Sequence, residues 1–208
     1  MVQCNLYDIY PDGRKVVQLE SEDITVEITD SGEYCDKYFT PCRHSYEVCN
    51  KLIRHDFLMG TGVEFRDTRK YFSEDLLFNL ELLSHLKKIS FIKEPYYNYY
   101  QNSNSHLHSN NNARLNASCD LFKDYIANAR EPMKSAASYT ASMIILYNAG
   151  FCDDIKPLLK SEQIKGYIKN ALKRKCTIKH RLFLTAMCTT PLFVREKLVK
   201  MYSGRWDK

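Results

Sequence analysis

A polar run from Ser103 to Asn112, rich in Asn and Ser, divides this 208-residue chain into halves with different hydrophobic periods. Before it, short apolar segments alternate with turn signals. Val2, Cys4 and Leu6 alternate with Gln3, Asn5 and Tyr7, which predicts a strand over residues 2–10. Pro11-Asp12-Gly13 reads as a turn, because Pro fixes φ and Gly accepts φ > 0. Residues 15–19 then return as a hairpin arm, residues 24–28 form a further strand, and Asp30-Ser31-Gly32 is a loop. A helix is expected over 43–55, loop and short extended pieces over 56–70, a helix from Asp75 to about Lys88, and strands over 89–92 and 96–100. After the polar run the pattern is wholly helical: 113–130, 134–147, 153–159, 161–173 and two more helices ending near Tyr202, punctuated by Pro132, Pro157 and Pro191. The fold class expected is α/β, a mixed sheet with flanking helices over 1–108, followed by an all-helical region over 109–208.

Composition removes several function classes. Seven glycines leave neither a P-loop pattern nor a dinucleotide fingerprint. Eight cysteines contain no Cys-x-x-Cys, which argues against a zinc ribbon or a thioredoxin-like site and for reduced thiols in the cytoplasm. No secretory signal opens the sequence. Charge is lopsided: from Lys156 to Lys208, fourteen Lys or Arg stand against Glu162, Glu196 and Asp207, a net of +11, whereas the chain as a whole is +5, so residues 1–155 carry −6. Such a tail suits an anionic partner. Its apolar pieces, Leu182-Phe183-Leu184 and Leu192-Phe193-Val194, are too short to span a bilayer but suit a helix lying in an anionic interface. A merely solvated basic face explains the same charges. No nucleic-acid reader motif accompanies them, so nucleic acid is not an expected partner.

The densest chemical signal is Ser73-Glu74-Asp75 at the head of an apolar helix. On a wheel at 100° per residue, Glu74 joins Glu81, Ser84, His85 and Lys88 on a polar stripe. Asp75 and Asn79 fall instead within the apolar arc of Leu76, Phe78, Leu80, Leu82, Leu83 and Leu86. Glu74 is therefore expected in solvent and Asp75 at the interior or in a cleft, where a carboxylate is rare unless partnered or functional. The plain alternative is capping, since Ser73 is a good N-cap and first-turn acids suit the helix dipole.

The order of motifs resembles the C-terminal half of family 2 glycosyltransferases, inverting enzymes with a GT-A nucleotide-sugar fold. Four pieces carry it over residues 2–108: Cys49-Asn50-Lys51-Leu52-Ile53-Arg54, Phe57, Glu74-Asp75-Leu76-Leu77-Phe78, and Tyr96-Tyr97-Asn98-Tyr99-Tyr100 closing near Ser105. The resemblance implies that Asp75 is the general base, that Glu74, Asn50 and Lys51 contact acceptor or donor, and that His106 or His108 stands where some such enzymes place a late metal ligand. It also implies a nucleotide-sugar donor, a glycan or lipid-linked acceptor, and a divalent cation (Mg or Mn). Three departures stand out. Cys49 replaces a usual Trp, Gln101 sits near a usual Arg, and no Asp-x-Asp occurs in the chain. Met1-Val2-Gln3-Cys4-Asn5 already reads as the strand after that motif. The donor half is then expected on a separate chain, or ahead of a misplaced start at Met1.

Two functions follow. One is a glycosyltransferase of polysaccharide biosynthesis, cytoplasmic and peripheral at the inner face of the plasma membrane. The other is a non-catalytic remnant or interaction subunit that binds no donor. The tyrosines of 96–100 would stack on sugar rings in the first case and simply pack in the second.

Overall fold

The computed structural model describes residues 1–19, 22–67, 71, 73–101 and 111–204. The chain forms two compact units, Met1–Ser109 and Asn110–Lys208. The first is mixed α/β and the second, over its described residues, is helical.

The first unit is built on a five-stranded sheet. Its strands are β1 (Val2–Ile9), β2 (Lys15–Val17), β3 (Ile24–Glu27), β4 (Lys51–Leu52) and β5 (Lys88–Tyr100). They lie in the order β2-β1-β5-β3, with β4 also on β1. β1 and β5 are parallel, running from Val2 opposite Ser90 to Ile9 opposite Tyr100, while β2 and β4 meet β1 and β3 meets β5 antiparallel. The register slips between Cys4 and Leu6, where Asn5 faces Pro95. A proline has no N–H to give the ladder and is tolerated at such an irregularity. The two β-segments expected over 89–92 and 96–100 are thus one strand with a bulge. The turn at Gly13 has φ +82°, as the Pro-Asp-Gly sequence requires.

The side of β1 that turns inward carries Gln3 and Asn5, both almost wholly buried. Each is satisfied by backbone. Gln3 donates to Arg43 O at 3.0 Å and accepts from Ser45 N–H at 3.1 Å. Asn5 donates to Leu19 O at 2.7 Å and accepts from Leu19 N–H at 3.1 Å. These bonds replace a ladder for segments that are not strands, as burial of amide groups demands.

Four local expectations need correction. Residues 43–55 are not a helix: they form a loop ending in β4, because its polar side chains and backbone bond to β1. Asp30 caps a short helix α1 (Ser31–Tyr34) through Glu33 N–H at 2.8 Å, and a π-helical stretch Cys35–Phe39 follows. Within 56–70 lies a helix, α2 (His55–Thr61), ended by Gly62 at φ +69°. The helix after Ser73 is shorter than expected, α3 (Glu74–Leu83), since Lys88 belongs to β5. On α3, Leu76, Leu77, Phe78, Leu80, Leu82 and Leu83 are all buried, and with Phe39, Ile89 and Leu6 they make the core of this unit.

The second unit contains α4 (Asn111–Asn128), α5 (Met133–Ala149), α6 (Lys156–Lys160), α7 (Glu162–Ala171), α8 (Ile178–Thr189) and α9 (Leu192–Ser203). α5 is buried on nearly every side and packs against α4, α7 and α9, as an apolar helix without a polar face must. Its buried hydroxyls bond to carbonyls one turn back: Ser138 to Lys134 O, Thr140 to Ala136 O and Ser142 to Ser138 O. At its end Gly150 leaves no room for a Cβ, which would stand 1.8 Å from Ser203 Oγ and 3.0 Å from Val199 O. Among the described residues, no helix is long and apolar enough to cross a membrane.

Candidate functional site

Asp75 is only half-buried, although the residues that follow it on α3, Leu76 to Leu80, are sealed. Ser73 occupies the N-cap position, but its hydroxyl makes no capping bond. The Asp75 carboxylate instead accepts the backbone N–H of Val48 at 3.3 Å. Capping by Ser73 therefore does not account for the motif. Burial is the main reason Asp75 holds its proton more tightly than an ordinary carboxylic acid. The negative charges of Glu74 and Glu47 add to this, while the Val48 N–H and the Lys51 ammonium oppose it. Glu74 is also half-buried rather than fully solvated.

The Val48 N–H is in place because the loop 43–50 is clamped from two sides. On the β1 side, Asn50 donates to Cys4 O at 2.8 Å and accepts from Ser45 Oγ at 2.9 Å. On the α3 side, Asn79 donates to Tyr46 O and to Asp75 O, each at 2.8 Å. With its amide nitrogen so engaged, Asn79 offers its oxygen to His44, whose Nε2 lies 3.2 Å away. Nε2 must therefore carry the hydrogen, and Nδ1 accepts from the Tyr34 hydroxyl at 2.9 Å. Burial, helped by the Lys51 charge, keeps His44 neutral, with a pKa well below the usual imidazole range. Burial likewise drives the Tyr34 hydroxyl upward. Tyr34–His44–Asn79 is a neutral, buried hydrogen-bonded relay, tied to α3 through the bond from Asn79 to the backbone carbonyl of Asp75.

Lys51 stands in β4, not in a helix, and points inward. Its ammonium donates to Ser45 O at 2.9 Å, to Ser45 Oγ at 2.8 Å and to the carbonyl of Glu47. Burial lowers its pKa to about 8, against the pull of the Glu47, Cys49 and Asp75 charges. Glu47 has one carboxylate oxygen, Oε2, buried with no hydrogen-bond partner. Tyr97 stands beside Cys49. The Tyr99 hydroxyl is raised first by burial and then by the charges of Glu47, Cys49, Asp8 and Asp75, so β5 brings it into the same neighbourhood. Gln101, at the position of the usual Arg, donates to Asp8 at 2.8 Å.

Of the residues singled out in the sequence, Asp75, Asn50 and Lys51 are thus brought together, with Glu74 adjacent. Asn50 is committed to holding the loop against β1, and Lys51 to holding the loop together. His106 and His108 lie outside the described residues. Sequence reasoning missed His44, Glu47, Ser45 and Gln3. Only Gln3 left a trace, as a polar residue alternating along a strand. Among the described residues, no three His, Cys, Asp or Glu side chains gather as a metal-binding group. Glu47 and Asp75 share a cationic neighbour in Lys51, which disfavours a divalent ion there. The Mg or Mn that the resemblance implies does not fit these residues, and no step below passes through it.

Compared with protein-family models, curated proteins and solved structures, the chain matches none.

Proposed function

We propose that residues 1–109 act as the acceptor-side part of an inverting, family 2-like glycosyltransferase, the sheet being a partial GT-A-like arrangement and Asp75 its general base. A donor-binding part would come from a separate chain or a preceding segment. The observation that carries this reading is the Asp75 carboxylate. It sits at the head of an apolar helix, reachable from solvent, with its proton affinity raised mainly by burial. A base of that kind suits proton removal from an alcohol near neutral pH. In the reaction the acceptor hydroxyl oxygen attacks the anomeric carbon, its proton passes to Asp75, and the nucleoside diphosphate leaves from the opposite face. Tyr99 offers an aromatic side chain close to the acceptor position. A glycan or lipid-linked acceptor at an anionic membrane surface agrees with the helical unit, where α8 and α9 expose Ile178, Leu182, Phe193 and Met201 among lysines and arginines.

The test is transfer of labelled sugar from uridine and guanosine diphosphate sugars to glycan and lipid-linked acceptors, by the full chain together with the donor-binding part. Asp75→Asn is expected to lower transfer by about a hundredfold or more while leaving the circular dichroism spectrum unchanged. The acid limb of the wild-type pH–rate profile should lie above the range of an ordinary carboxylate. Equal transfer by Asp75→Asn removes the base assignment. A second reading, a non-catalytic interaction subunit, is favoured by one observation: Asn50 and Lys51 are both used internally. It predicts no transfer with any donor and no saturable saccharide binding seen by NMR.

A further inference from the structure

The helical unit holds a cleft of about 510 Å³ lined by residues of α6 to α9. That volume falls within the range of small-ligand sites, which runs from roughly 300 to 1,000 Å³. Its floor is apolar: Ile164 and Ile168 from α7 and Met187 from α8. Its rim is cationic. Lys165, Lys169 and Lys173 recur every four residues along and just beyond α7, so they share one face, and Arg195 approaches from α9. Among the described residues, no Asp or Glu lines the cleft. Lys165 is bonded to Glu162 at 2.6 Å, and Arg195 spends its Nε on Thr190 O at 2.7 Å. The exposed Lys169 ammonium has no such acid among the ion pairs of the described residues. Lys173 donates to Asn170 Oδ1 at 3.4 Å.

An apolar floor beneath a one-signed rim calls for a ligand with both characters. We propose that this cleft binds an anionic amphiphile, a single aliphatic chain ending in a phosphate or carboxylate. The chain lies on Ile164, Ile168 and Met187, and the head group meets Lys169 and Lys173. The charge of the rim excludes cationic amphiphiles. This inference is independent of the sugar-transfer reading, since it uses no residue of the α/β unit.

The experiment is calorimetric titration of the full chain, below the critical micelle concentration, with dodecyl phosphate, dodecanoate, dodecyltrimethylammonium and inorganic phosphate. One-to-one saturable binding of the two anionic amphiphiles is expected. Shortening the chain by two methylenes should weaken it about tenfold, and inorganic phosphate should bind far more weakly. The double variant Lys169→Glu with Lys173→Glu changes two exposed side chains and should weaken dodecyl phosphate at least tenfold. Met187→Trp, which fills the floor, should weaken it without altering head-group preference. Equal binding of the cationic amphiphile would overturn the proposal. So would inorganic phosphate binding as tightly as dodecyl phosphate, which would mark a plain phosphate site. Association with anionic vesicles alone, without a one-to-one complex, would assign the anion preference to the outer surface and overturn the cleft as well.

Discussion

The two units differ in the balance between local and chain-spanning bonds that satisfy their buried polar groups. In the helical unit, the buried hydroxyls of Ser138, Thr140 and Ser142 bond to carbonyls of their own helix. Those bonds would survive most rearrangements of the surrounding helices. In the α/β unit, the buried polar side chains reach across the chain. Gln3 bonds to residues 43 and 45, Asn50 to Cys4, and Asn79 to Tyr46 and His44. Each such bond exists only if distant segments meet in one geometry. A network of this kind adds little net stability per bond, but losing one member leaves others buried and unpaired. It fixes a loop, and that loop presents the Val48 N–H and Lys51 to Asp75. The unit with the candidate chemistry leans more heavily on non-local polar bonds, although the helical unit has its own in Ser203 to Tyr147 O, Asn148 to Ser118 and Tyr139 with His180.

The sharpest way to break this contrast is to remove the centre of the relay. His44→Ala leaves the Tyr34 hydroxyl and the Asn79 oxygen without their partner and opens a cavity among buried side chains. A loss of about 3–5 kcal/mol is expected for residues 1–109. Hydrogen exchange read by mass spectrometry should show the loss in peptides of α3 and the loop 43–50. Peptides of α5 should keep their protection. Equal loss in both units would mean that the relay is not the local organiser described here.

Lys51 tests the same loop through pH. Its folded-state pKa is about 8 against an ordinary 10.5, so between those values the unfolded chain binds more protons than the folded one. Stability attributable to this group therefore rises with pH across that window, by on the order of 3 kcal/mol when complete. Cys42, pushed up to about 12 mainly by burial, works in the opposite direction at the upper end. The readout is accordingly the difference between wild type and Lys51→Met in urea midpoints measured from pH 7 to 10.5. Wild type should gain on the variant as pH rises. A constant difference would mean that the ammonium is as well solvated in the fold as in the open chain.

Much of this architecture was legible in the sequence, and the failures at the candidate site share one cause. Strand 2–10, the Gly13 turn, the hairpin arm and the run of helices after the polar stretch follow from local periodicity and turn chemistry. The apolar residues named on the wheel are all buried, although Leu86 lies beyond the end of α3, while Glu74, expected in solvent, is half-buried. What could not be read is what depends on partners far along the chain. The composition of 43–55 allows the helix expected there, and bonds to β1 hold residues 43–50 open as a loop. His44 carries no local mark at all. Its meaning comes from Tyr34 and Asn79, ten and thirty-five residues away in sequence. Lys51 matched a motif, but the motif could not say whether its ammonium would face a ligand or the carbonyls of its own loop.

In the helical unit the expected weak point is steric. A Cβ at Gly150 meets Ser203 Oγ at 1.8 Å, Ser203 Cβ at 2.5 Å and Val199 O at 3.0 Å. Gly150→Ala should therefore cost about 1–3 kcal/mol, read as lost protection in α5 and α9. Adding Ser203→Gly should restore part of it, since it removes the two nearest atoms. No recovery in the double variant would put the strain on the Val199 carbonyl instead.

The smallest effect belongs to the local hydroxyls, and it is the closest check on the comparison. Ser142→Ala removes a buried hydroxyl that donates to Ser138 O at 2.8 Å. That carbonyl belongs to the interior of α5, so it keeps its ordinary helical partner. Alanine is also the better helix former. The loss of one neutral bond, about 1 kcal/mol, is then offset by about half through helix propensity. A net change within about 0.5 kcal/mol is expected in thermal denaturation. Gln3→Leu, which conserves approximate size but strands Arg43 O and Ser45 N–H, should cost several times more in the other unit. If the serine change proved as costly as the glutamine change, the distinction between locally satisfied and chain-spanning polar burial would not describe this protein.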